Sequence, residues 1–178
     1  MHSQKKIMLW INILGGIFVL SSYIWGLTTH PGGGDALWGG IPQWLHTISI
    51  ADMFLATLGY LTLSAFLFFA LDPETAQINI RAGFKTFNVI YATILIPSVL
   101  WMPLTLAYIA NPDNLLWLAD RLVLFIVGLA ALGMLSALLN IQTRRPLWFF
   151  RLAVAGGIFL AIQTALLDAL IWANYFTT

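Results

Sequence analysis

The stretch Leu115–Leu139, LLWLADRLVLFIVGLAALGMLSALL, decides the fold class. A helix rises about 1.5 Å per residue and a bilayer core is about 30 Å thick, so about 20 apolar residues cross it as one helix. This run is long enough, and it holds only an Asp-Arg pair near its start. Four further runs, Ile7–Leu27, Thr47–Leu71, Phe87–Ala110 and Trp148–Tyr175, meet the same length requirement. Their continuous apolar character suits helices, which satisfy their own backbone in hydrocarbon, and not the alternating strands of a membrane barrel. The expectation is an all-α polytopic membrane protein, one domain over residues 1–178, built as a bundle of five transmembrane helices.

Composition agrees. Of 178 residues, 60% are apolar and 8% charged, against about a quarter charged in soluble domains. The net charge of +1, spread over short connections, excludes nucleic acid as a partner, because phosphate binding needs a concentrated basic surface. With no cysteine there is no disulfide, thiolate nucleophile or Cys-ligated metal. Lys5 and Lys6 precede the first apolar run as in a leader peptide. That run is too long for a cleaved core and no A-x-A site follows Leu27, so it reads as a retained helix.

The cations set the orientation. Lys5 and Lys6 precede the first span, Arg81 and Lys85 separate the second from the third, and Arg144, Arg145 and Arg151 lie between the fourth and fifth. The connections Thr28–His46 and Asn111–Asn114 contain neither Lys nor Arg. The positive-inside bias therefore places the N-terminus in the cytoplasm and the C-terminus outside. A bacterial or archaeal cytoplasmic membrane and an organelle membrane both fit. The run from Thr28 through Pro31 to Asp35, the run Asn111–Asn114 and Asp72-Pro73-Glu74 supply the turn chemistry between spans.

The fifth span carries Ala153, Gly157, Ala161, Ala165, Ala169 and Ala173 at every fourth position. Such a ridge lets another backbone approach closely, which is how helices associate in lipid. Ala153, Gly157, Ala161 and Ala165 are accordingly the candidates for helix–helix association. Ser49, Asp52, Ala56 and Gly59 form a similar face on the second span, and Gly15 and Gly16 another on the first. Pro97 and Pro103 each remove a backbone donor from the third span, which predicts a kink near Trp101.

Asp52, Asp120, Arg121 and Asp168 form an intramembrane charge cluster by depth, all in the outer half. Arg121 is expected to pair with Asp168 or Asp52, because an isolated charge at that depth costs at least about 2.5 kcal/mol and Asp120 points about 100° away on the same helix. His30, His46 and Asp52, with Asp35 nearby, supply imidazole and carboxylate ligands for a divalent metal, although their spacing matches no motif. The plainer reading makes each histidine an interfacial polar tip. Six tryptophans, Trp25, Trp38, Trp44, Trp101, Trp117 and Trp172, belong to the outer half, against Trp10 and Trp148 at the inner boundary. Interfacial anchoring explains an aromatic belt. The asymmetry also suits a pocket for a flat apolar ligand, with Trp38, Trp44, Trp101 and Trp117 as walls and Arg121 and Asp168 at its polar edge.

The segment Trp38-Gly-Gly-Ile-Pro-Gln-Trp44 before the second helix and Leu100-Trp101-Met102-Pro103 in the third resemble the tryptophan-rich sensory protein or translocator protein family. The resemblance carries over at Trp38, Pro42, Trp44, Trp101 and Pro103. It implies a five-helix bundle that binds tetrapyrroles or sterol-like molecules among aromatic residues of the first loop and adjoining helices. Ile41-Pro42 stands where the family has a double proline, the link between helices two and three is longer, and the fifth helix lacks the family's Pro-Tyr start.

Three function classes follow: a binder or sensor of a planar hydrophobic ligand such as a tetrapyrrole, sterol-like molecule or lipid; a membrane-embedded enzyme or proton-coupled carrier using the outer Asp, His and Arg residues; and a structural subunit of a membrane complex. No HExxH, GxSxG or phosphate loop is present, which counts against catalysis.

Overall fold

The computed structural model describes residues 1–30, 32–79 and 82–176. Pro31 of the first turn, Arg81 of the basic connection, and Thr178 at the C-terminus lie outside the described residues. Five helices are long and apolar enough to cross a membrane: α1 (Ser3–Thr29), the second span Gln43–Ala70, α4 (Lys85–Ala110), α5 (Asn114–Leu139) and the fifth span Leu147–Tyr175. The second span consists of α3 (Gln43–Ala65) and a π-helical turn, Phe66–Ala70. The fifth consists of α6 (Leu147–Ala161), a π-helical segment Ile162–Trp172 and α7 (Ala173–Tyr175). Two small elements were not anticipated: α2 (Gly33–Ala36) in the first loop, and a hairpin of β1 (Gln77–Asn79) and β2 (Ala82–Gly83) between the second and third spans.

Each long helix begins one to four residues before its apolar run, and two of them start on a polar cap. The His2 ring accepts from the Gln4 N–H, and the Asp113 carboxylate accepts from Leu115 and Leu116, satisfying donors that a helix start leaves open. Arg144 does the converse at the end of α5, donating to the carbonyls of Ile141 and Leu139 while lying over the Phe150 ring. α4 continues unbroken through Pro97 and Pro103.

The spatial order is α1, α4, α5, the fifth span and α3, with α1 and α3 making no extended backbone contact although they adjoin in sequence. The seam between them is bridged by the Tyr60 hydroxyl donating to Asn12. The closest crossing is between α3 and α6, where a Cβ on Gly59 would stand 2.5 Å from the Gly156 carbonyl oxygen. Gly128 of α5 likewise meets the Ala165 backbone, at 2.8 Å from the added Cβ to its Cα. The small-residue ridge of the fifth span is thus used inside the bundle: Ala153, Gly157 and Ala161 are buried, and Ala165 faces Gly128.

Large apolar side chains cover the outside, with Phe54 70% and Phe18 59% exposed, while Thr105 and Asp120 are almost completely buried. This inversion of the soluble pattern is what a lipid solvent requires. The basic end, carrying the N-terminus, the hairpin and Arg144, encloses an apolar core of Leu63, Phe66, Phe87, Tyr91, Met134 and Leu138. The opposite, aromatic end encloses Trp172 and Phe176 with Trp101, Tyr108 and Trp117 around them.

Candidate functional site

The aromatic end is closed by the last described residues of the chain, Trp172 to Phe176. Phe176 stacks on Trp172 at 4.3 Å and on Trp117 at 6.0 Å, and Tyr108 stacks on Trp117 at 5.3 Å. Trp172 donates its indole N–H to the Leu37 carbonyl at 2.8 Å, and Gly40 donates to the Tyr175 carbonyl at 3.1 Å. Gly39 permits this seat, since its φ of +53° is one that side chains rarely adopt and a Cβ would press on Phe176 at 3.0 Å. Trp172 and Phe176 are therefore central to this end. Trp172 appeared in the sequence only as one of several outer tryptophans, and no periodicity marked Phe176.

The expected pocket residues do not meet as a single set. Trp101 and Trp117 both touch Trp172, at 6.1 and 6.2 Å. Trp38 packs edge-on to His46 at 4.0 Å. Trp44 is 63% exposed on the outer surface. The expected ion pair of Arg121 with Asp168 or Asp52 is not formed. The guanidinium instead lies over Trp117 and Phe125, at 5.4 and 5.9 Å. The reason is local: Trp117 and Phe125 stand one turn either side of Arg121 on α5, a helical surface that turns it away from the buried Asp120. His30 lies against Trp25 and Thr29. Among the described residues no three of His, Cys, Asp and Glu converge to hold a metal ion.

The polar groups that do converge belong to α1, α3 and the fifth span. Counting outward from the Gly59–Gly156 crossing, seven residues along each antiparallel helix reach Asp52 and Gln163, both about 10 Å away and therefore level. Gln163 donates to Asp168 at 2.8 Å. That bond depends on the π-helical winding: residues five apart lie about 140° apart on an α-helix but on one face where the hydrogen bonds run i to i+5. Asp168 lies within electrostatic reach of Asp52, and Tyr23 of α1 within that of Asp168. Tyr23 also meets the edge of Trp101 at 5.6 Å.

Several of these groups are only partly satisfied. Among the described residues, six buried side-chain atoms find no hydrogen-bond partner: His46 Nε2, Asp52 Oδ2, Trp101 Nε1, Asp120 Oδ2, Gln163 Oε1 and, at the basic end, Asn88 Oδ1. Asp120 and Asp52 are 1% and 7% exposed. Thr105 lies 2.9 Å from both Asp120 and the Trp101 carbonyl, and its single hydroxyl proton serves one acceptor at a time. A shallow apolar groove beside Leu132, Ala161 and Ala165 carries none of these residues. No family model matches the chain, nor does any curated protein or solved structure.

Proposed function

We propose that this chain is a multi-pass membrane protein, with its N-terminus cytoplasmic and its C-terminus outside, that binds or senses a planar hydrophobic ligand in the aromatic-end half of its bundle. The observation that carries the reading is the concentration of unpartnered buried polar atoms there: Asp52 Oδ2, Trp101 Nε1, Gln163 Oε1 and His46 Nε2. A buried polar group without a partner costs about 1–3 kcal/mol, so a cluster of them is accounted for by a molecule that supplies the partners. Its flat body lies among the aromatic rings of this end, with Tyr23 of α1 and Trp101 of α4 beside it, and its polar end reaches Asp52 and Gln163. The likeness of Trp38–Trp44 and Leu100–Pro103 to the tryptophan-rich sensory or translocator proteins makes tetrapyrroles and sterol-like molecules, with lipids, the first ligands to try.

Two experiments test this reading. In nonionic detergent, 1-pyrenemethanol should quench tryptophan fluorescence saturably, with the effect weakened in Trp101→Ala and retained in Trp148→Ala. Nonsaturable quenching, or equal loss in both variants, removes the site. In intact cells, Gly33→Cys should react with an impermeant maleimide and Gln77→Cys should react only after lysis; labelling of Gln77→Cys in intact cells reverses the orientation. A second reading, a proton-coupled carrier or membrane-embedded enzyme, draws on Thr105 between Asp120 and the Trp101 carbonyl. Proton uptake into liposomes that Asp120→Asn abolishes would favour it.

A further inference from the structure

The converging groups at the aromatic end differ in one respect from the pocket outlined by sequence: they include two carboxylates and no cation. Asp52 is 7% exposed and its Oδ2 has no partner. Gln163, level with it across the helix pair, is 7% exposed, and its amide nitrogen is given to Asp168, which leaves the carbonyl oxygen without a donor. Arg121 lies over Trp117 and Phe125 on its own helix. The His46 ring is edge-on to Trp38. The site is therefore rich in acceptors and lacks a positive charge, and Tyr23 and Trp101, edge-on to each other, bring aromatic rings to the same end.

Resting on the ligand reading above and deepening it, we propose that Asp52 and Asp168 together recognise a positively charged amine, so that the site selects organic cations over neutral or anionic molecules of the same shape. A primary ammonium carries three donors and no acceptor. Asp52 Oδ2, Gln163 Oε1 and the Asp168 carboxylate offer acceptors to match, and hydrogen bonds between ionised partners are the stronger kind. A carboxylate head in place of the amine meets two carboxylates and is repelled. Gln163 also holds Asp168: its amide nitrogen donates to that carboxylate, which the π-helical winding brings to the same face.

The test uses the full-length chain in nonionic detergent with three probes that share one ring system: 1-aminomethylpyrene, 1-pyrenemethanol and 1-pyrenecarboxylate, titrated against tryptophan fluorescence at neutral pH. The amine should bind about tenfold or more tighter than the alcohol, a difference in keeping with a charge-assisted bond, and the carboxylate should bind weakest. Asp52→Asn and Asp168→Asn should each remove most of the amine's advantage, lowering its affinity by more than the alcohol's. If amine and alcohol bind alike, or the carboxylate binds best, charge selection is overturned while ligand binding itself stands. If none of the three saturates, the ligand reading fails with it. The comparison of the three heads on the unmodified chain decides the matter even if a variant does not fold.

Discussion

At the basic end the fully buried Tyr91 hydroxyl meets Ser64 at 2.7 Å, while Tyr60 bonds Asn12 and packs edge-on to Tyr91. At the aromatic end Asp52 is nearly as buried, and one of its oxygens meets nothing. Both ends use polar groups inside an apolar wrapping, but they use them differently. A paired group at the basic end fixes how α1, α3 and α4 sit together. At the aromatic end one oxygen of Asp52 makes no such bond, which leaves hydrogen-bonding capacity unused. Most of the unpartnered buried atoms among the described residues lie at the aromatic end, with Asn88 Oδ1 the exception at the basic end, so it is there that bonding capacity is left over.

That contrast can be broken by substitution, and the largest effect is expected where the two ends join. Gly59→Ala places a Cβ against the Gly156 backbone, which cannot rotate away, so it should destabilise by about 3 kcal/mol or more. Gly16→Ala, with open space around the added carbon, should leave the thermal midpoint unchanged. A melting series in detergent reads both, and equal midpoints would mean that the crossing is not close. Next, Tyr91→Phe leaves the Ser64 hydroxyl without its partner and should cost about 1–3 kcal/mol. At the aromatic end the sign changes. Asp52→Asn removes a buried carboxylate with no ion-pair partner and should be neutral or stabilising, by up to about 1 kcal/mol; a loss comparable to that of Tyr91→Phe would show that Asp52 is structural after all. The smallest effect belongs to Arg121→Met, which exchanges a contact over two rings for apolar packing and should cost about 0.5–1 kcal/mol. A loss of several kcal/mol there would restore the buried ion pair.

The spans were legible because length and hydropathy are local properties. Leu115–Leu139 needs no neighbour to be recognised as a helix able to cross a bilayer, and the caps at His2 and Asp113 moved such boundaries by only a few residues. The acidic positions were legible too, since a carboxylate in an apolar run stands out wherever it points. Direction was not. Arg121 was paired by depth, but its rotamer is set by Trp117 and Phe125 one turn away. The fourth-position stripe on the fifth span did mark a packing surface, but residue spacing could not say that the surface is occupied by Gly128 and by α3 of the same chain.

By itself, the sequence determined the number of long helices, the polar connections between them, and which residues carry charge into the apolar runs, because each follows from composition along the chain. Tertiary structure alone decided which of these charges share a space. The helix order α1, α4, α5, fifth span, α3 brings together segments distant in sequence, and the glycine contact at Gly59 and Gly156 sets their register. The π-helical winding over Ile162–Trp172 then places Gln163 and Asp168 on one face. An α-helical period assigns those two residues to different faces, so the grouping of Gln163 with Asp168 beside Asp52 depends on a change of helical pitch and on a partner helix, neither of which residue spacing encodes.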